Sequence, residues 1–556
     1  MFQSKSLDDQ LQKQRREAEE KDAQRRAQKH NLDYLDLIST TVPTEIKAMG
    51  LVPEEEAKAA RLAPLQIIKK KLIMAVFDPE NAETKKIIEG LKNTHEVKVV
   101  VSSLTGLKHT WDHYQYVTVQ KDISGSVNIN EARLHELQNE IKSLEDLTKQ
   151  IQEFKSPYTS QILEIILSGA LALGASDIHL EPNDKAGDLR LRIDGLLHTV
   201  FSELGKDIYK SIITRIKLLS NLKLNVQDEP QDGRFTIALK DRSIEIRTSL
   251  IPSEYGETAV LRLLDPQSLK VNLEDLGWRA DDLAIAEAEI KKPNGLILNT
   301  GPTGSGKTTT LYAFLRKVSR PEIKIITVED PIEYHLSGIS QPQVDLDANY
   351  TFASGLRSIL RQDPNIILVG EIRDKETAEI ALNASLTGHI VFSTLHTNDA
   401  VGAIPRLLDL GIQTNILGPS LSLVIGQRLV RKLCPDCKIK KEIDGKTAEK
   451  IKKFVSGLPS RVDKSGYSEF DIYEAKGCDK CGRLGYKGRT SIFELLQADE
   501  AIETAIYKNP TEIELKELAK KQGMVTMQED GVLKILKGIT SFEEVERLTG
   551  PIIWSE

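Results

Sequence analysis

Eight residues constrain this chain more than any others: Gly301-Pro302-Thr303-Gly304-Ser305-Gly306-Lys307-Thr308. They follow a short apolar run, residues 295–300 (GLILNT), and open a stretch that reads as a helix. The pattern G-x-x-x-x-G-K-[ST] in that setting makes a phosphate-binding loop. Glycines let successive backbone N–H groups point into one concavity, and the new helix adds its positive end. Lys307 has the reach for β- and γ-phosphates, and the Thr308 hydroxyl suits a Mg²⁺ ligand. Gly301, Pro302, Thr303, Gly304, Ser305, Gly306, Lys307, Thr308 and Thr309 are therefore the expected nucleotide cradle.

Two further apolar runs lead into acids. Ile325–Val328 is followed by Glu329-Asp330-Pro331-Ile332-Glu333, and Asn365–Gly370 by Glu371. Phosphate-loop proteins place carboxylates in this way, at the carboxyl edge of a parallel sheet beside the metal. Glu371 fits the acid that holds Mg²⁺, directly or through water. Glu333 fits a carboxylate that orients or deprotonates the attacking water. His389 and His396 flank another apolar strand (HIVFSTLH), where Ser393, Thr394 and Thr397 add small donors suited to sensing a γ-phosphate.

A chain of 556 residues predicts about three or four domains at roughly 150 residues each. Lys and Arg number 75 against 82 Asp and Glu, so no global basic field draws the chain to nucleic acid or anionic lipid. Aromatic residues make up 5%, which argues against a base-stacking surface. Apolar runs are too short to span a bilayer, and the polar first thirty residues lack a signal-peptide core, so a cytoplasmic protein is expected. Residues 1–31 read as a solvated helical or disordered arm, 32–122 as a small α/β domain and 123–157 as a linker helix. In that linker Leu134, Leu137, Ile141, Leu144 and Ile151 form a short seam, suited equally to a coiled coil or to docking on its own chain. Residues 158–268 read as a second α/β domain. Residues 269–556 read as a large α/β domain with an insert at 430–490 and a helical region at 497–556. The four cysteines form two Cys-x-x-Cys pairs, Cys434/Cys437 and Cys478/Cys481, a spacing that usually holds a metal where disulfides are disfavoured.

Taken together, GPTGSGKTTTL (301–311), ITVEDPIEY (326–334), LRSILRQDPNIILVGEIRD (356–374) and TGHIVFSTLHTNDA (387–400) resemble the Walker A, aspartate box, Walker B and histidine box of the secretion-ATPase superfamily. ASDIHLEP (175–182), RIDGLL (192–197), PQDGR (230–234) and EYGETAVLRLL (254–264) are similar to the domain that precedes its ATPase core. The chain looks most like the extension motors of type IV pilus assembly and type II secretion. That resemblance implies a RecA-like P-loop ATPase core behind a PAS-like domain, assembled as a homohexamer. It assigns Lys307, Glu333, Glu371, His389 and His396 to catalysis, with Arg247 and Arg262 of the preceding domain and Arg357, Arg361, Arg373 and Arg406 of the core at the nucleotide or subunit interface. LCPDC (433–437) and GCDKCGRLGYKGRTSIFELL (477–496) resemble the family's metal-binding insert, which implies a structural Cys₄ zinc site.

The implied cofactors are ATP, Mg²⁺ and Zn²⁺. The implied partners are an inner-membrane platform protein and a cytoplasmic recruitment protein, without direct nucleic-acid contact and with the membrane reached through partners. The N-terminal region lacks the Arg-Leu-Gly opening of relatives that bind cyclic di-GMP, so that ligand is not expected. A scaffold subunit with little turnover is the competing reading, and the intact Lys307, Glu333 and Glu371 argue against it.

Overall fold

The computed structural model describes residues 2–39, 44–68, 70–114, 126–127, 136–137, 139–153, 159–239, 243–266 and 271–554. The chain divides into two units, Met1–Asp265 and Pro266–Glu556.

The first unit contains two sheets. The smaller orders its strands Asp33–Tyr34, Glu96–Val101, Lys71–Val76 and Leu62–Ile68, with antiparallel pairing only between the last two. Parallel neighbours need a crossover, and helix Ala82–Lys92 supplies it between Lys71–Val76 and Glu96–Val101. Asn81 starts that helix by accepting from the N–H groups of Glu83 and Thr84.

The charged N-terminal segment is helical, one of the two forms its composition predicts, and it docks through a few residues of its second half. It forms helix Phe2–Lys29, whose Ala23 and Ala27 are buried. Buried Glu20 accepts from the hydroxyls of Tyr34 and Ser103, each at 2.7 Å, and the Arg26 guanidinium lies 3.8 Å from the centre of the Phe77 ring. These contacts use alanines, hydrogen bonds and a cation–π pair, so hydrophobic periodicity does not register them.

The larger sheet orders Ser126–Val127, Gln231–Ala238, Ser243–Ser253, Gly256–Leu264, Ala175–Pro182, Gly187–Ile193 and Leu196–Phe201. Asp194 and Gly195, with φ of 48° and 89°, make the tight turn between the last two strands. The expected continuous linker helix is broken. Residues 141–143 are not helical, and helix Leu144–Glu153 starts afresh after Ser143, whose hydroxyl accepts from the Asp146 N–H. The restart turns Leu147 and Ile151 inward. Leu147 lies against Gly169, where a Cβ would approach it to 2.5 Å, and the Thr148 hydroxyl donates to the Val200 carbonyl. Of the seam residues, Leu137, Ile141 and Ile151 are buried and Leu144 is only half-buried, while Leu147, outside the seam, takes the inward place beside Gly169. Leu134 lies outside the described residues, and Ser126–Val127 pairs as a strand with Thr236–Ile237.

The second unit is built on a six-stranded sheet ordered Ile325–Val328, Ile366–Val369, Ile390–Leu395, Gly295–Thr300, Leu421–Leu433 and Tyr486–Gln497. Only the last strand is antiparallel. Both faces are covered: Leu296 and Leu298 join Val328, Ile367 and Val391 in one core, while Ile297 joins Ile325, Leu368 and Phe392 in the other. Hence strands Ile325–Val328, Ile366–Val369, Ile390–Leu395 and Gly295–Thr300 read largely as apolar runs rather than alternating ones. Four C-terminal helices follow, Glu500–Tyr507, Glu512–Lys521, Met527–Leu536 and Phe542–Thr549, each started by a side-chain cap from Asp499, Thr511, Thr526 or Ser541.

Candidate nucleotide site and four-cysteine centre

Strand Gly295–Thr300 lies between Ile390–Leu395 and Leu421–Leu433, so the glycine loop leaves the middle of the sheet and turns into helix Lys307–Val318. Gly301 has φ of 149°, and a Cβ there would sit 2.4 Å from the Gln427 carbonyl oxygen. Gly306 has φ of 91°, in the left-handed region, and a Cβ there would lie 2.8 Å from the Gln427 side-chain Nε2. The loop can therefore form only with glycine at both positions.

Gln427 is the residue that motif reading missed. Its buried side chain accepts from Asn299 Nδ2 at 2.7 Å and Thr310 Oγ1 at 2.9 Å, and donates to Ser491 Oγ at 3.0 Å. It joins the strand before the loop, the helix after it and the neighbouring antiparallel strand. In sequence it is one of three polar residues, with Ser422 and Arg428, in the largely apolar stretch 421–430.

The Lys307 ammonium donates to the carbonyls of Gly301 and Pro302 at 2.7 and 3.1 Å, which holds it across the loop. Burial lowers its pKa, and Glu371 opposes that shift. The Ser305 hydroxyl is buried and has no hydrogen-bond partner among the described residues, and Thr308 lies half-exposed in the first helical turn. A glycine concavity, an ammonium, an unsatisfied hydroxyl and a second hydroxyl with a carboxylate nearby fit a nucleotide phosphate with its Mg²⁺.

Glu371 follows strand Ile366–Val369, pairs with Arg373 and lies 3.4 Å from His396 Nε2. His396 is held by its neighbour: Thr397 Oγ1 is 2.6 Å from Thr300 Oγ1, and the Thr397 N–H donates to that same oxygen at 3.0 Å. The site thus brings Lys307, Glu371 and His396 to one edge of the sheet.

His389 is elsewhere. It precedes Ile390 at the opposite end of the strand, about 23 Å from His396 at 3.3 Å per residue, with Nδ1 2.9 Å from the Ala384 carbonyl. The two histidines do not form one cluster within a subunit. Ser393 and Thr394 donate to the Val369 and Gly370 carbonyls, so they brace the Glu371 strand rather than face a phosphate.

Glu329 is the acid that ends strand Ile325–Val328. Buried at 3% exposure, it accepts from the Tyr312 hydroxyl and from Thr327 Oγ1 at 2.6 Å. Burial next to Glu329 drives the Tyr312 pKa strongly upward, which keeps that phenol a donor. The Glu333 backbone meets the same phenol, and its half-buried side chain lies beyond the strand end.

In the insert between Leu421–Leu433 and Tyr486–Gln497, the Sγ atoms of Cys434, Cys437, Cys478 and Cys481 all lie within 4.8 Å of one another. Cys434–Cys478, Cys437–Cys481 and Cys478–Cys481 are 3.9, 3.8 and 3.8 Å apart. A tetrahedral site with Zn–S bonds of about 2.3 Å requires edges of about 3.8 Å. Backbone N–H groups of Cys478 and Gly485 point at Cys481 Sγ at 3.2 and 3.3 Å, as donors to a thiolate do. Strands Ile439–Lys441 and Ile472–Glu474 pair antiparallel and fold the 40 residues between the cysteine pairs into a return path.

The model of the type II/IV secretion system protein family matches residues 152–547. The chain belongs to that family. It is 43% identical to the type II secretion system protein E of Pseudomonas aeruginosa over 429 residues, 77% of this chain and 81% of that one. It is 37% identical to the type IV pilus assembly ATPase PilB of Myxococcus xanthus over 510 residues, 90% of this chain and 86% of that one. The secretion-ATPase resemblance read from the motifs is thereby borne out. The X-ray structure of the Legionella pneumophila ATPase DotB, 21% identical, superposes with a TM-score of 0.52 over 71% of this chain and 97% of that one, in agreement with a RecA-like core.

Among the arginines that the family resemblance singled out, Arg373 pairs with Glu371 and Arg357 with Glu376. Arg361 donates to Ser358, and Arg406 is exposed on helix Ala403–Asp409. Arg247 and Arg262 belong to the first unit, where they are cross-strand neighbours. Arg262 bonds Asp177 at 2.9 Å and Arg247 bonds Glu245 at 3.2 Å. No helix among the described residues is long and apolar enough to cross a membrane.

Proposed function

We propose that this family member is a Mg²⁺-dependent ATPase that works as a cytoplasmic homohexameric motor. It would drive pilin or pseudopilin subunits into a growing fibre through an inner-membrane platform protein, reaching the membrane by a recruitment partner. The observation that carries the reading is the convergence of Lys307, Glu371 and His396 on the glycine loop. The names of the relatives support the cellular role.

In this reading the loop N–H groups and Lys307 bind the phosphates, and Thr308 with Glu371 holds Mg²⁺, which neutralises charge on the phosphates. Glu333 orients the attacking water as general base, and His396 beside Glu371 reports the state of the γ-phosphate to its loop. Arg247 and Arg262 serve the nucleotide or the subunit interface. The four cysteines hold a structural zinc with no position left for a substrate.

Phosphate release with Mg-ATP, measured on zinc-replete wild type and Glu371→Gln at several protein concentrations, tests it. Turnover per chain that rises with concentration and disappears in the variant supports an assembling ATPase. Nucleotide binding without turnover in either protein, even with source membranes added, would favour the scaffold reading.

A further inference from the structure

Glu494 lies outside the phosphate site, yet it bonds both the segment that follows His396 and the C-terminal helical region. The side chain is 4% exposed. One carboxylate oxygen accepts from the Ala400 backbone N–H at 2.6 Å and the other from the Met527 N–H at 3.0 Å. Ala400 stands four residues beyond His396, in the segment that Thr397 fastens to Thr300. Met527 opens the C-terminal helix Met527–Leu536, whose Asp530 accepts from the Phe493 N–H and pairs with Arg279 and Lys534.

Cross-strand from Glu494 is Gly426, where a Cβ would come within 2.7 Å of Glu494 Cγ and 2.8 Å of its Oε1. The carboxylate has room because residue 426 has no side chain. Two N–H donors aimed at two separate oxygens call for a carboxylate, since a glutamine offers one acceptor and a hydrogen-bond donor in place of the other.

We propose that Glu494 is a positioning residue, a clamp that couples the His396–Ala400 segment to the C-terminal helical region. Displacement of that region is then felt at the phosphate site. The inference rests on the ATPase reading of that site.

The clamp is also tuned by protonation. Burial raises the Glu494 pKa to about 7, against the two N–H donors that hold it down. Asp399 adds to the rise and Arg428 opposes it, and Lys516 on helix Glu512–Lys521 faces the same carboxylate. The folded-state pKa lies above the unfolded value, so this group favours the folded chain most at low pH and loses that contribution as pH rises through about 7. The local contact runs the other way for any motion that parts a donor from it while the carboxylate stays buried, because the donors hold its pKa down and ionisation makes both N–H bonds charge-assisted. The clamp therefore tightens as pH rises.

The test uses the full zinc-replete chain. Steady-state ATP hydrolysis of wild type and Glu494→Gln is compared from about pH 6 to about pH 8.5, and amide hydrogen exchange is followed on the same proteins. The clamp predicts a fall in kcat of about tenfold in the variant with KM for ATP within about twofold. It also predicts loss of the wild-type limb near pH 7. Exchange should accelerate in residues 396–402 and 527–536 but not in 307–318. A folded variant with unchanged kcat and pH profile, or one whose exchange rises evenly across the unit, overturns the proposal. Should the variant fail to fold, wild type alone decides. Corrected for intrinsic pH effects, 396–402 must exchange more slowly relative to 307–318 at about pH 8 than at about pH 6, and equal ratios overturn the clamp. Absence of wild-type turnover even with source membranes added would remove the ATPase reading, while the exchange arm would still decide the coupling.

Discussion

Gln427 accepts a hydrogen bond from Thr310 at 2.9 Å, across the base of the phosphate loop and 117 positions away in sequence. Asn299 and Ser491 bond the same amide, so one side chain holds the strand before the loop and the helix after it in register. Replacing it with Leu leaves three buried polar groups without that partner. Gln427→Leu is expected to lose about 2–4 kcal/mol of stability and about tenfold in nucleotide affinity. Chemical unfolding and a fluorescent-nucleotide titration measure the two effects.

The glycines of the loop differ in what they tolerate. Gly301→Ala drives a Cβ to 2.4 Å from a backbone oxygen, whereas Gly304, at φ of 78°, has open space around it. Gly301→Ala is expected to abolish nucleotide binding, and Gly304→Ala to cost only about 1–2 kcal/mol from the left-handed backbone. Isothermal titration of the two variants separates them.

Position along strand Ile390–Leu395 ranks the histidines. His396 is 3.4 Å from Glu371, and His389 is at the far end. His396→Ala should lower kcat by about tenfold or more, further than His389→Ala does, and Glu371→Gln by about a hundredfold with nucleotide still bound. Parallel phosphate-release assays give the order.

Sulfur spacings of 3.8 to 3.9 Å predict one zinc per chain. Metal analysis should find it, and Cys434→Ser should release it and lower the unfolding temperature, because metal binding to such a site is folding free energy. Retention of a full equivalent by the variant would count against a Cys₄ site.

Glu544 ties the last helix to strand Leu421–Leu433 through Arg431. Burial pushes its pKa up, but Arg431 and Arg547 outweigh that and hold it at about 2. Its folded-state pKa lies below the unfolded one, so its stabilisation is present above about pH 4.5 and is lost as pH falls toward 2. Glu544→Gln should cost about 3 kcal/mol near neutral pH and nearly nothing at the acid end of that window. Urea midpoints taken across the range test the sign.

Much of the phosphate site is local in sequence, and so it was legible there. The glycine spacing dictates the loop, the fully buried strands read as apolar runs, and Glu371 stands two residues past the end of one of them. The Cys-x-x-Cys pairs are local in the same sense. Tertiary structure decided whatever depends on distant partners. Gln427 and Glu494 look like stray polar residues in two strands until pairing places them against Thr310 and Ala400. Two histidines seven positions apart look like a pair until an extended strand carries them to opposite ends of the sheet. An arm rich in charge turned out docked, because alanines and buried hydrogen bonds hold it without a hydrophobic stripe. Motif and periodicity record what neighbours along the chain must do. Contacts between distant segments depend on packing geometry, which no short window of residues encodes.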